Sequence, residues 1–389
     1  MNILHTVSEY HPSVGGMQEV VRQISQHLVK LGHSVTVATR TLSTRKSEYI
    51  NGVKIVGFDI NGNAVTGYRG DVEAYRQFLL NTKFDIITNF AAQQWASDIM
   101  FPLLGKIQPK KVFVPTGFSE LFSPKYHQYF QEMPHFLRQY DMCVFLSDDY
   151  RDMNFAREHN ILRRVVIPNG AGEEEFLSEP SVDIRKKFNI PRDDLLILNV
   201  ASHTGLKGHS EAIKIFGKAS ISNATFLIIG NEYWNGCGKI CRMRQYLSGA
   251  FPRWKKAGKV LLVSSLMRDE TVSAYKHADL FLFTSKIECS PIVLFECMAS
   301  RTPFLTTDVG NATEIIKWSG SGIVLPTVVS DYGYSKAMIN ESASVLEGIC
   351  SNISLRHAMS ASGYRAWKEK FTWEKISRQY EKLYNQLLS

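Results

Sequence analysis

Two successive series of short β-branched runs, with amphipathic stretches of helical spacing between many of them, constrain this chain more than any other feature. Residues 2–7 form a short apolar run, Gly15-Gly16 opens a helical pattern over 17–31, and 34–39 alternates as a strand does. Runs at 53–57, 85–90, 111–115 and 142–146 repeat the theme. After Pro168-Asn169-Gly170 and the acidic Glu173-Glu174-Glu175 the alternation restarts. Its runs lie at 195–201, 224–230, 259–264, 279–284, 303–307 and 322–325, with a helical pattern at 210–219. Strand, helix, strand in this order builds a parallel sheet with helices on both faces. The expectation is an α/β chain of two Rossmann-like domains facing each other across a cleft, the first over 1–170 and the second over 171–372. Residues 354–388 read as helices, with Tyr380, Leu383 and Leu387 at three- and four-residue spacing.

A chain of 389 residues suits two domains of ordinary size and can bury its cores without disulfide or metal staples. Hydrophobic residues at 44% and charged ones at 21% exclude a disordered or coiled-coil chain. No stretch approaches the roughly 20 apolar residues that cross a bilayer. The N-terminus lacks a basic segment followed by an apolar one, so a cytoplasmic protein is expected. Cys237 and Cys241 lie four apart and no Cys/His pair follows at zinc-site distance, so the six cysteines read as reduced structural thiols and no metal is expected. The formal charge of +8 favours anionic partners without choosing among them.

Three constellations carry chemistry. In 10–19 a glycine pair, Gly15-Gly16, stands between strand and helix, where backbone can approach a ligand closely. A tight turn explains the same pair. In 199–210 a strand feeds a loop holding Ser202, His203, Gly205, Lys207 and Gly208 ahead of a helix. A lysine at a helix N-terminus on the C-terminal edge of a parallel sheet suits a bound diphosphate, and His203 reads as a surface residue. In 284–299 two carboxylates, Glu288 and Glu296, flank Pro291. In one continuous helix they would lie about 80° apart around the axis. Pro291 instead suits the first helical position, with Ser290 as N-cap, so that Glu288 stays in the loop and Glu296 in the second turn. A solvated glutamate pair explains poorly why Glu296 interrupts the apolar run 292–299.

With these residues in view, the chain resembles the retaining GT-B glycosyltransferases of family 4, whose mark is E-x7-E. The likeness spans nearly the whole chain: Pro12-Ser13-Val14-Gly15-Gly16, Ile167-Pro168-Asn169-Gly170, Lys207-Gly208, Glu288 to Glu296, Val309-Gly310-Asn311 and Phe371-Thr372-Trp373-Glu374. The resemblance implies that Glu296 holds the ribose of a nucleoside-diphosphate sugar and Glu288 faces the sugar. Backbone amides of Ile292 and Val293, with Lys207, would bind the diphosphate, and Gly16 would let the first domain's loop pass close to it. It implies a final helix, about 373–389, packed on the first domain. No cofactor and no metal are expected, because helix amides and Lys207 take the place of one.

Two positions depart from the family pattern. Members usually carry an arginine five residues before the loop lysine, where this chain has Ser202, and Arg268 is a candidate substitute. Many carry a histidine near the acceptor, where this chain has Thr116. Tyr68 and Trp95 lie in first-domain segments where the fold places the acceptor, expected to be a glycan or lipid-linked glycan. The expected activity is transfer of a hexose to a hydroxyl of a growing polysaccharide or lipopolysaccharide. The alternatives are a sugar-nucleotide epimerase of the same fold and a GT-B-like subunit that binds a nucleotide sugar without turnover. Residues 237–259 hold seven basic side chains and no acid, interleaved with Tyr246, Leu247, Phe251 and Trp254. Two readings stand for them, a solvated insertion and a patch for an anionic membrane surface, which would make the protein peripheral. No nucleic-acid module accompanies them.

Overall fold

The computed structural model describes residues 1–81, 83–231 and 236–389. It divides into two compact units, one of residues 1–169 with 373–389, the other of 170–372. The fold is GT-B in class, with a mostly parallel sheet in each unit.

In the first unit the strands are β1 (Asn2–Thr6), β2 (Ser34–Arg40), β3 (Tyr49–Ile50), β4 (Val53–Phe58), a hairpin of β5 (Ile60–Asn63) and β6 (Gly67–Gly70), β7 (Ile86–Phe90), β8 (Lys110–Val114), β9 (Met142–Phe145) and β10 (Arg164–Val166). Eight of them form one sheet in the order β10-β9-β8-β7-β1-β2-β4-β3. Only β3 runs antiparallel to its neighbour. The helix Gly16–Lys30 crosses from β1 to β2, and its face of Val20, Val21, Ile24 and Leu28 is buried. The helix Trp373–Leu388 packs on it. Tyr384 fixes that packing, its hydroxyl lying 2.7 Å from Thr88 Oγ1 and 3.3 Å from His5 Nε2.

The second unit contributes β11 (Leu195–Val200), β12 (Ala224–Ile229), β13 (Lys259–Ser264), β14 (Leu280–Phe283), β15 (Phe304–Thr306) and β16 (Gly322–Val324), all parallel, in the order β13-β12-β11-β14-β15-β16. Two apolar clusters cover its faces. Leu196, Leu198, Phe281 and Phe283 belong to one, and Ile197, Leu280 and Leu282 to the other. That division follows from the two-residue period of a strand, and burial on both sides explains the unbroken apolar runs.

Every run read as a strand from the sequence is a strand here, with ends that agree to within one residue. The sequence reading does not include the short β3 and β10 or the β5–β6 hairpin: β3 is two residues long, the hairpin is rich in Gly and Asn, and the three residues of β10 are half-buried. One local expectation needs correction. The helix begins at Ile292 with Pro291 at its N-cap, so Ser290 does not cap it.

Candidate active site

β11 and β14 are neighbours in the sheet, so the loops that leave their C-terminal ends meet. The loop after β11 ends at Gly208, whose φ of 67° is left-handed. A Cβ there would stand 1.7 Å from the carbonyl oxygen of Thr284, so only glycine permits the contact. Thr284 Oγ1 donates to the Gly208 carbonyl at 2.7 Å, and the Lys286 amide donates to the Leu206 carbonyl at 2.9 Å. This lacing brings Lys207 Nζ to 2.6 Å from Glu288 Oε1. Ser285 Oγ donates to the same oxygen at 2.7 Å.

A third loop, after β15, backs the turn that carries Glu288. Gly310 has a φ of 57°, and a Cβ on it would lie 2.3 Å from the Cys289 carbonyl oxygen. The Asn311 amide donates to that same carbonyl at 2.8 Å. The turn then feeds the helix Ile292–Ala299, whose N-terminus has no side-chain cap. Ile292 and Val293 open it, at positions whose amides have no acceptor within a helix.

Glu296 lies one turn further along and is 3% exposed. Arg268, the first residue of the helix Arg268–His277, places Nη1 2.7 Å from Glu296 Oε1. The other edge of its guanidinium forks onto Glu175, at 2.6 and 3.1 Å. Burial pushes the Glu296 carboxyl above its ordinary range, Arg268 draws it back, and Glu175 raises it again. Two carboxylates thus each hold a cation, and the two pairs stand at the ends of one helix turn and its preceding loop.

The other site residues read from the sequence are scattered. Ser202 is a half-buried loop residue of the second unit. Gly16, in the first unit, is the first residue of its helix, and a Cβ on it would meet nothing within 4 Å. Tyr68 is half-buried on β6. Trp95 is 3% exposed and packs edge-on to Tyr75 at 5.1 Å, so its ring is core and offers no face to an acceptor. Thr116, Gly117 and Phe118 all have positive φ after β8, as do Ala91 and Gln93 after β7. Strained backbone gathered at the C-terminal ends of adjacent strands is typical of ligand sites. The Gly117 amide donates at 2.8 Å to Asp152, whose buried carboxyl is pushed up to about 6.

The sequence reading missed a polar cluster beside these residues. Asp98, buried and pushed up to about 6, accepts from the Ala64 amide at 3.0 Å and from Tyr129 Oη at 2.7 Å. The Gln93 amide donates to the same Tyr129 hydroxyl at 2.8 Å. One acid inside the apolar run 95–101 was the available signal.

Other expectations also change. His203 is not a surface residue but 1% exposed. It lies with Cys237 and Cys241, whose spacing alone suggested no ligand set. In the basic segment Trp254 is buried against Phe216. Lys259 is buried too, its ammonium donating to the Phe216 carbonyl at 2.8 Å. Neither belongs to an exposed patch. Among the described residues no helix is long and apolar enough to cross a membrane.

Comparison with known proteins matches residues 14–174 to the family "Glycosyltransferase Family 4" and residues 181–340 to "Glycosyl transferases group 1". An uncharacterized glycosyltransferase of Methanocaldococcus jannaschii is 26% identical over 371 residues, 87% of this chain and 92% of its own length. The GPI3 subunit of phosphatidylinositol N-acetylglucosaminyltransferase from Saccharomyces cerevisiae is 22% identical over 348 residues, 85% of this chain and 73% of its own. Among solved structures, sucrose-phosphate synthase from Thermosynechococcus elongatus has a TM-score of 0.78 at 17% identity, covering 99% of this chain and 98% of that one. HepE of Anabaena in complex with UDP-glucose has a TM-score of 0.71 at 13% identity, covering 99% and 100%.

Proposed function

Because the chain belongs to the GT-B glycosyltransferases of the group 1 and family 4 type, we propose that it transfers a hexose, with retention, from a nucleoside-diphosphate sugar to a hydroxyl of a glycan acceptor. The observation that supports this most is the Lys207–Glu288 pair, 2.6 Å apart beside the uncapped head of the helix Ile292–Ala299. A diphosphate placed there receives the amides of Ile292 and Val293 and competes with Glu288 for the Lys207 ammonium. Once displaced, Glu288 is free to face the donor sugar.

In the reaction the bond between the anomeric carbon and the diphosphate oxygen breaks, and its electron pair leaves with the nucleoside diphosphate. Negative charge therefore grows where the amides and Lys207 already point, so their interaction is stronger in the transition state than in the ground state. The acceptor hydroxyl attacks the face the diphosphate leaves, and its proton passes to a diphosphate oxygen. These groups serve without a metal ion at the diphosphate. Glu296 accepts the ribose hydroxyls, with Arg268 opposing the burial that raises its carboxyl. In this reading Arg268 works through Glu296 and does not take the place of the arginine absent at Ser202.

The acceptor we favour is lipid-linked, as in polysaccharide or lipopolysaccharide assembly on the cytoplasmic side of a membrane. Ile240, Met243, Tyr246 and Phe251 are exposed among Lys239, Arg242, Arg253, Lys255 and Lys256, a composition suited to an anionic bilayer surface. A panel of sugar nucleotides tests the activity. Release of nucleoside diphosphate, with an acceptor product of the donor's own anomeric configuration by NMR, supports it. A new epimer without release, or binding without either, overturns it.

A further inference from the structure

The second unit contains a cluster that the transfer reaction does not use. The loop after β11 carries His203, and His209 begins the helix His209–Lys218 that follows it. Cys237 is the N-cap of the helix Gly238–Ser248, and Cys241 lies one turn along the same face. Three of the four side chains are about 1% exposed (His203, His209 and Cys241), and Cys237 is half-buried. Cys237 Sγ stands 3.5 Å from His203 Nδ1 and 3.3 Å from His209 Nδ1. The two imidazoles are 4.4 Å apart between ring centres. One ligand atom from each of His203, Cys237 and Cys241 falls within 4.8 Å of the others.

We propose that His203, His209, Cys237 and Cys241 bind a tetrahedral transition-metal dication of the zinc type, a structural site separate from the diphosphate-binding groups.

Geometry carries the argument first. With Zn–S near 2.3 Å and Zn–N near 2.0–2.1 Å, the S···N edge of a tetrahedron is about 3.5 Å, which is what Cys237 makes to both histidines. As a ligand set the cluster is balanced. Two thiolates and two neutral imidazoles match the donor preference of zinc and cancel a double positive charge.

The site's backbone is already shaped to hold the four side chains. The Cys237 amide donates to the His203 carbonyl at 3.1 Å, and the His203 amide to the Asn231 carbonyl at 2.9 Å. Gly230 allows this approach, because a Cβ on it would stand 2.0 Å from the Ala201 carbonyl oxygen and 3.3 Å from His203 Cδ2. A bound metal would clasp the head of the Gly238–Ser248 helix to the loop that ends in Lys207 and Gly208. Its role would be to position that loop.

The test uses the full-length protein, purified without chelator and under reducing conditions, with metal content measured by plasma mass spectrometry. About one zinc per chain is expected, falling at least about tenfold in Cys241→Ser and His209→Ala. Metal-stripped wild type titrated with Co²⁺ alone should develop the intense visible absorption of tetrahedral cobalt and a thiolate-to-cobalt charge-transfer band. That readout stands even if a variant fails to fold, and it is independent of glycosyl transfer. A weak, octahedral cobalt spectrum together with metal-free wild type overturns the site. So does wild-type metal content that survives both substitutions.

Discussion

Removing the Arg268 side chain is the sharpest perturbation of the donor pocket, because it strands a carboxylate that the fold has already buried. In Arg268→Ala, Glu296, which is 3% exposed in the wild type, loses its counterion, with Glu175 beside the vacated position. The carboxyl then stays ionised without a counterion or takes up a proton. The second route sets a ceiling. Protonating at pH 7 a group of ordinary pKa near 4.3 costs about 3.7 kcal/mol, from 1.36 kcal/mol per unit over about 2.7 units. Arg268 itself is 41% exposed, so water takes over part of its role, and the expected loss is about 2–3 kcal/mol. At pH 5 the same protonation costs only about 1 kcal/mol. Glu296 already has a raised carboxyl in the folded protein, and the substitution raises it further. The folded variant therefore holds a proton that the unfolded chain releases, and its stability falls as pH rises from 5 to 7. Urea midpoints at the two pH values measure this, and amide exchange over 292–299 reads it within the second unit. Adding Glu296→Gln should restore most of the loss at pH 7. Equal losses at both pH values, with no recovery in the double variant, would refute the reasoning.

Lys207→Ala should lower turnover by about 10²–10³, the effect of removing one donor to a developing anion, while leaving donor affinity within a few-fold. Glu296→Ala should do the reverse, raising the donor KM with the smaller effect on kcat. Steady-state kinetics in which both variants match wild type would remove the site assignment. Gly16→Ala should leave stability unchanged or raise it by about 0.5 kcal/mol, since alanine is the better helix former and its Cβ meets nothing within 4 Å. Its turnover should nonetheless fall at least tenfold, and unchanged turnover would show that nothing passes close to that position. His5 is buried, and its pKa is lowered to about 3 by that burial. Between pH 3 and 6.5 the unfolded chain binds the extra proton, so stability rises with pH by up to about 1.4 kcal/mol per unit. The raised carboxyls of Asp98 and Asp152 slope the opposite way below pH 6. The measurement is therefore the difference between wild type and His5→Gln across pH 4.5–6.5, and parallel curves would exclude the assignment.

What the sequence disclosed, and what it withheld, divides along one physical line. Strands buried on both faces are largely apolar, so β11 and β14 announce themselves as runs such as Leu195-Leu196-Ile197-Leu198. The glycines that open and close loops announce themselves as well. Gly208 and Gly310 are required by contacts of 1.7 and 2.3 Å that any Cβ would make. Partner choice leaves no local trace, because it depends on which strands become neighbours. Arg268 finds Glu175 and Glu296 across 93 and 28 residues of chain, and Lys207 finds Glu288 across 81. His203 was misjudged for the same reason. A histidine in a glycine-bearing loop looks solvated until Cys237, 34 residues on, is folded against it. Trp95 errs in the opposite direction, an aromatic read as a sugar platform that the Tyr75 ring claims for the core. The adjacency of β11 and β14 therefore does more than shape the sheet. It converts a lysine and a glutamate, each ordinary in isolation, into a pair whose exchange for a diphosphate can be measured. A Lys207→Ala, Glu288→Ala double-mutant cycle on diphosphate affinity should be non-additive by about 1 kcal/mol or more if the two compete at one place. Additive effects would mean that the ligand meets them separately.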